Sequence, residues 1–129
     1  MCPVYINRIA SIHAESRNEK PYFSAQEPDY KEMITNANLR RRMSRMIKMG
    51  VACGLECLKD ISPEKVDAII TATGLGCLAD TEKFMNALMD NREQMLNPTA
   101  FIQSTFNTIG AQIALLLKIH AYNVDRKSV

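Results

Sequence analysis

The chain has 129 residues, 47% hydrophobic and 23% charged, close to ordinary globular usage, which excludes a disordered tail or a fibrous repeat and fits one domain. Sixteen basic against fourteen acidic residues leave a net charge of +2, too even a balance to mark a nucleic-acid binder. No apolar run reaches the ~18 residues that span a bilayer, and the N-terminus lacks the basic-then-apolar layout of a secretion signal. A cytoplasmic protein without a membrane span is expected.

In chain order, Val4 to His13 (VYINRIASIH) alternates loosely and predicts a strand with an irregularity. Glu15 to Pro28, with Pro21 and Pro28, predicts a loop that Tyr22 and Phe23 dock onto the body. Leu39, Met43, Met46, Ile47, Val51, Leu55 and Leu58 recur at steps of three and four, which predicts one helix from Leu39 to Leu58. Its second half is apolar or small nearly all round, as in a buried helix, and Gly50 and Gly54 share a face that lets another backbone come close. Ser62-Pro63-Glu64 predicts a capped short turn.

Val66 to Thr73 (VDAIITAT) is a β-rich apolar run, expected to be a strand covered on both faces. Asp80 is placed to cap a helix running to about Asp90, with Phe84, Met85 and Leu88 inward. Pro98 breaks the chain, and Ser104 to Ile119 predicts a second strongly apolar helix. Strand, helix, strand, helix in this order predicts an α/β fold, a small and mostly parallel sheet packed against two long apolar helices. Two confident strands make a marginal sheet, so the chain is expected either to self-associate or to be one piece of a longer product.

The four cysteines, Cys2, Cys53, Cys57 and Cys77, form no CxxC pair, and His13 and His120 lie far from them in sequence. Reduced, mostly buried thiols are expected, with no metal site, no cofactor and no lipid anchor at Cys2. Cys77 stands near a helix start, where a dipole lowers a thiol pKa, yet it has no histidine nearby in sequence to act as its base.

Gly74-Leu75-Gly76-Cys77-Leu78-Ala79 fits G-x-G-x-x-G/A between a strand and a helix, a pattern that can cradle pyrophosphate. About twenty residues on, where a strand-end carboxylate would meet the ribose, the chain reads Met95-Leu96-Asn97-Pro98. A tight turn with glycines for steric room is the plainer reading. Arg40, Arg41, Arg42, Arg45 and Lys48 place five cations in nine positions with no acid among them. They read as a solvated helix face or as a docking patch for an acidic partner.

The run RMSRMIKMGVACGLECLKD, then VDAIITATGLGCLADTEKFMNAL, then NPTAFIQSTFNTIGAQIALLLKI, resembles the N-terminal part of β-ketoacyl-acyl-carrier-protein synthases, roughly from Val4 to Asn123. Within that family it is similar to the compact bacterial synthase-like proteins of polyene and related lipid pathways. The resemblance implies a partial thiolase-like fold, with residues 1–129 an N-terminal domain that is incomplete relative to the family.

The chemistry it implies is acyl transfer to a cysteine at a strand-to-helix junction, then decarboxylative condensation with malonyl-carrier-protein. In that family the nucleophilic cysteine follows the last segment seen here, and the chain reaches Asn123 to Val129 about where its strand begins. None of Cys53, Cys57, Cys77, His13 or His120 matches a catalytic position, so the chain alone is expected to be inactive.

The resemblance carries Phe101, Ile102, Gln103, Ser104, Thr105, Phe106 and Asn107 over as a segment near the subunit interface and acyl tunnel. Phe101, Ile102 and Phe106 would touch acyl chain, and Ser104, Thr105 and Asn107 would satisfy backbone at the helix start. The plainer alternative is that these residues pack a helix onto the sheet. Acyl-carrier protein is the implied partner, with Arg40 to Lys48 facing it, together with a second copy or a ketosynthase subunit. Two other readings stay open: a noncatalytic partner that sets chain length in a ketosynthase heterodimer, and a small α/β module holding a phosphate ligand at Gly74 to Ala79.

Overall fold

A computed structural model of the chain describes residues 3, 5–13 and 25–127, the last three by backbone alone. Cys2, Val4, Tyr22 and Phe23 lie outside the described residues. Three polar caps start three helices: α1 (Tyr30–Met33), α2 (Ala37–Arg42) and α5 (Pro98–Ser104). The Asp29 carboxylate accepts from the Lys31 amide at 2.9 Å. The Asn36 amide oxygen accepts from Asn38 and Leu39 at 3.1 Å each. The Asn97 amide oxygen accepts from Thr99 at 2.9 Å, with Pro98 in the first turn. Each satisfies amides that a helix start leaves bare. Pro98 therefore opens a helix.

The expected helix over Leu39 to Leu58 is two helices. α2 ends at Arg42, with Met43 already extended, and α3 (Arg45–Cys57) begins after Ser44, whose ψ of 170° is fully extended. The bend turns Met43 into the core at 4% exposure, a gain that a straight helix would forgo. The apolar run Ser104 to Ile119 is likewise broken, into the end of α5 and α6 (Thr108–Leu117), whose axes differ by 106°. Hydroxyls make that break. Ser104 Oγ donates to the Phe101 carbonyl and Thr105 Oγ1 to the Ile102 carbonyl, both at 2.7 Å, taking acceptors that a continuing helix would use.

Strand β1 (Ala68–Thr73) follows a short 3-10 turn at Pro63–Lys65 and leads through a four-residue turn into α4 (Leu78–Asp90). Strand β2 (Tyr122–Lys127) pairs with it in parallel, Ala68 opposite Tyr122 and Ile70 opposite Val124. The fold is thus mixed α/β, a two-strand parallel sheet with helices. The strand expected over Val4 to His13 is absent: the described residues 5–13 are irregular. An alternating sequence becomes a strand only beside another strand, and the sheet of the described residues holds β1 and β2 alone. Arg8 instead donates to the Lys59 carbonyl and lies 3.6 Å from the Asp60 carboxylate.

The core gathers Ile34, Met43, Ile47 and Val51 from the N-terminal helices with Ile69, Ile109, Ile113 and Ile119. The glycines on α3 do bring α6 close. A Cβ on Gly50 would stand 2.7 Å from Ile109 Cγ2, and one on Gly54 2.4 Å from Ile113 Cδ1. α6 covers one face of the sheet, where a Cβ on Gly110 would meet Asn123 Oδ1 at 2.5 Å. Among the described residues nothing covers the other face, against expectation: burial alternates along β1, and Ile70 is 68% exposed. The turn after α6 is set by Lys118 in the left-handed region, φ 54°, the usual way for a helix to stop.

Candidate functional site

α4 and α5 pack side by side, and several large apolar side chains on and beside them are exposed. The Phe84 and Phe101 rings lie 5.5 Å apart, tilted at 58°, an edge-to-face contact that sets how the two helices meet. Beyond it Phe101, Ile102 and Phe106 are about half exposed, and Leu75, Leu78 and Met85 are exposed too. Met85 was expected inward, but α4 turns it to solvent because Phe84 and Leu88 take the half-buried positions.

The segment Phe101 to Asn107 spans the break between α5 and α6, so its side chains face different ways. Ser104 and Thr105 satisfy carbonyls at the end of α5, not amides at the start of α6. Thr105 Oγ1 also lies 3.1 Å from Thr108 Oγ1, and Asn107 caps α6 without a side-chain hydrogen bond. Gln103 donates through Nε2 to the Arg42 carbonyl. That bond ties the last turn of α2 to α5.

The glycine turn has the expected setting, β1 before it and α4 after it. Gly74 has open space around the position of a Cβ, whereas Gly76 has φ +64° and Phe106 Cδ1 at 2.8 Å from that position. Gly76 is therefore demanded by backbone conformation and by the Phe106 ring. Cys77 caps α4 and is 2% exposed, so its thiol is sealed in the core. Asp80, expected at the cap, sits within the first turn at 7% exposure, its Oδ2 buried without a hydrogen-bond partner among the described residues.

The basic run is not one free patch. Arg40 donates to the Ile34 carbonyl, and Arg41 donates to the Asn38 side chain at 2.9 Å. Arg45 pairs with Glu27. Arg40 and Arg45 thereby tie α2 and α3 to the preceding segments, and Arg41 braces α2 internally. The side chain of Arg42 is exposed, and that of Lys48 half-buried.

One cavity was not foreseen. It is about 550 Å3, between residues 10–12, residues 26–33 and the outer flank of α3, and it holds Glu27, Asp29, Glu32, Cys53 and Glu56. A hydrogen bond from Tyr30, then one from Arg45, hold the Glu27 carboxyl below its ordinary value. Burial, then the bond to Glu27, push the Tyr30 hydroxyl up. Burial likewise raises the Cys53 thiol. Only one of these acids, Glu56, lies in a helix of recognisable period, which is why the cavity left no pattern in the sequence. Among the described residues Cys53, Cys57 and Cys77 form no disulfide, and where mostly buried thiols were expected Cys77 is buried and the other two are half-buried. No single helix among the described residues is long and apolar enough to cross a membrane.

The sequence profile of the family described as β-ketoacyl synthase, N-terminal domain, matches residues 13–123. No curated protein is matched significantly. Among solved structures, a ketosynthase from Xenorhabdus doucetiae, determined in complex with its chain length factor, is similar in fold. The TM-score is 0.63 at 20% identity, over 82% of this chain and 41% of that one. This chain thus spans well under half the length of that relative, and a likeness at this identity speaks for the fold alone.

Proposed function

Because the chain belongs to the β-ketoacyl synthase N-terminal domain family, we propose that it acts in acyl transfer and decarboxylative condensation on acyl-carrier protein. The setting is fatty-acid, polyketide or polyene-type lipid synthesis. Its part is to meet the acyl chain, and the nucleophile is supplied elsewhere. The observation that carries this is the exposed apolar surface of Phe101, Ile102 and Phe106 on α5 and the turn after it.

An acyl chain gains about 0.8 kcal/mol for each methylene it buries, and each of these half-exposed apolar side chains has surface left to bury against it. The cysteines support the division of labour. Cys77 is buried, and Cys53 is held in its protonated form by burial, in a cavity that no histidine lines. Attack on a thioester needs an accessible thiolate with a base beside it. Arg42, exposed and tied through its carbonyl to Gln103 of α5, is the cation proposed to meet an acidic carrier.

The same surface supports a second reading, a noncatalytic partner that sets chain length as half of a ketosynthase heterodimer. The similar solved ketosynthase was determined with a chain length factor. A phosphate site at the glycine turn is the weaker reading, because the Phe106 ring stands where a phosphate would approach Gly76.

A calorimetric titration with acyl-carrier protein tests the proposal, comparing an acylated carrier with the unloaded one. The acylated form is expected to bind at least about tenfold more tightly, 1.4 kcal/mol, and Ile102→Asp to remove the difference. Equal binding of the two forms would overturn the acyl reading.

A further inference from the structure

The two strands enter the sheet side by side, Ala68 opposite Tyr122. Just before them lies a cavity of about 610 Å3, between residues 63–67 and residues 117–121. Val66 and Leu117 line it with apolar carbons, and Glu64, Asp67, Lys118 and His120 bring two carboxylates, an ammonium and an imidazole. Both carboxylates come from the first segment, and both nitrogen groups from the second. Lys118 is set there by its left-handed backbone, φ 54°, where α6 stops and the chain turns towards β2.

These groups do not neutralise one another. Glu64 accepts from the Ser62 hydroxyl at 3.2 Å. The side chains of Asp67, Lys118 and His120 have no hydrogen-bond or ion-pair partner among the described residues.

We propose that this cavity binds a small zwitterion, an aliphatic amino acid whose two charges are held apart by a stem. Its ammonium meets Glu64 and Asp67, and its carboxylate meets Lys118 and His120. Three observations choose that class. A ligand of single charge would suit one segment and set a like charge before the other, which costs affinity. The ammonium and carboxylates of the cavity do not reach each other, so a molecule that bridges them must separate its own charges. The volume is that of a small-molecule site, and an aliphatic stem would cover Val66 and Leu117. A metal ion is the poorer fit, because no three His, Cys, Asp or Glu among the described residues are grouped to hold one.

The cavity lies at the start of β1, roughly 16 Å along that strand from the glycine turn. It is therefore a second site, and the inference is independent of the acyl reading.

Calorimetric titration of the whole chain tests it with three probes of one stem length. ε-Aminocaproate carries both charges, caproate only the negative one and hexylamine only the positive one. ε-Aminocaproate is expected to bind at least about tenfold more tightly than either of the others, with amide NMR shifts at residues 63–67 and 117–121. Asp67→Asn should remove its advantage over caproate, and Lys118→Asn, which tolerates the left-handed backbone, its advantage over hexylamine. Asp90→Asn, on α4, should leave binding unchanged.

No binding of ε-aminocaproate, or equal binding of either single-charge probe, would overturn the proposal. So would shifts confined to other residues. Should a variant fail to fold, the three probes on the unaltered chain decide the matter.

Discussion

Gly74 and Gly76 look alike in the sequence, and the structure gives them different duties. At Gly76 an alanine would meet both a positive φ of +64° and the Phe106 ring at 2.8 Å, while at Gly74 a Cβ meets nothing within 4 Å. Gly76→Ala is expected to destabilise the fold by about 1–3 kcal/mol in urea unfolding. Gly74→Ala should change it by less than about 1 kcal/mol. Equal losses would contradict the packing account of this turn.

Glu27 and Tyr30 form the other residue-scale device, pinning the segment before α1 to α3 through Arg45. The folded carboxyl lies below its ordinary 4.5, so the unfolded chain takes up its proton first. That contribution is whole above 4.5 and is lost as pH falls through the folded value. Tyr30 is raised above its ordinary 10.0, so its contribution is whole below that and fades as pH climbs towards the folded value. In Tyr30→Phe the largest cause of the Glu27 shift is gone, and the carboxyl should titrate closer to 4.5 by carbon NMR. An unmoved titration would contradict the assigned cause.

At the scale of elements, period and breaks were unequally legible. The three-and-four spacing from Leu39 to Leu58 marked Leu39, Met46, Ile47, Val51 and Leu55 as helical correctly, but nothing in that spacing says that Met43 gains more by leaving the helix axis. The break after α5 was written in Ser104, Thr105 and Thr108, whose hydroxyls compete for carbonyls; an apolar pattern read alone passes over them. VYINRIASIH alternates as a strand does, yet a strand needs a neighbour, which lies outside any local pattern. Gly50 and Gly54 were read rightly as a close approach. Gly50→Ala should destabilise by about 1–2 kcal/mol, although helix propensity alone favours alanine by ~1 kcal/mol. The loss should fall when Ile109→Ala is added, a coupling that urea unfolding of the double mutant measures. Additive losses would separate α3 from α6 in energy.

For the whole molecule, the family and the α/β character were legible, and so was a sheet of few strands. Among the described residues, the uncovered sheet face with Ile70 and the exposed apolar side chains on α4 and α5 share one cause. Each is a surface that a two-strand sheet and its helices cannot cover from within. The cavity beside Cys53 was not legible, because it assembles residues from three segments that share no period.

The central claim, that this chain meets an acyl chain without bearing the nucleophile, is tested most directly by photolabelling. Acyl-carrier protein loaded with a diazirine-bearing acyl chain is irradiated with the protein, and the adducts are mapped by peptide mass spectrometry. The account predicts label on Phe101, Ile102 or Phe106, and no thioester on Cys53, Cys57 or Cys77. Label confined to other surfaces, or an acyl thioester on any of those three cysteines, would contradict it.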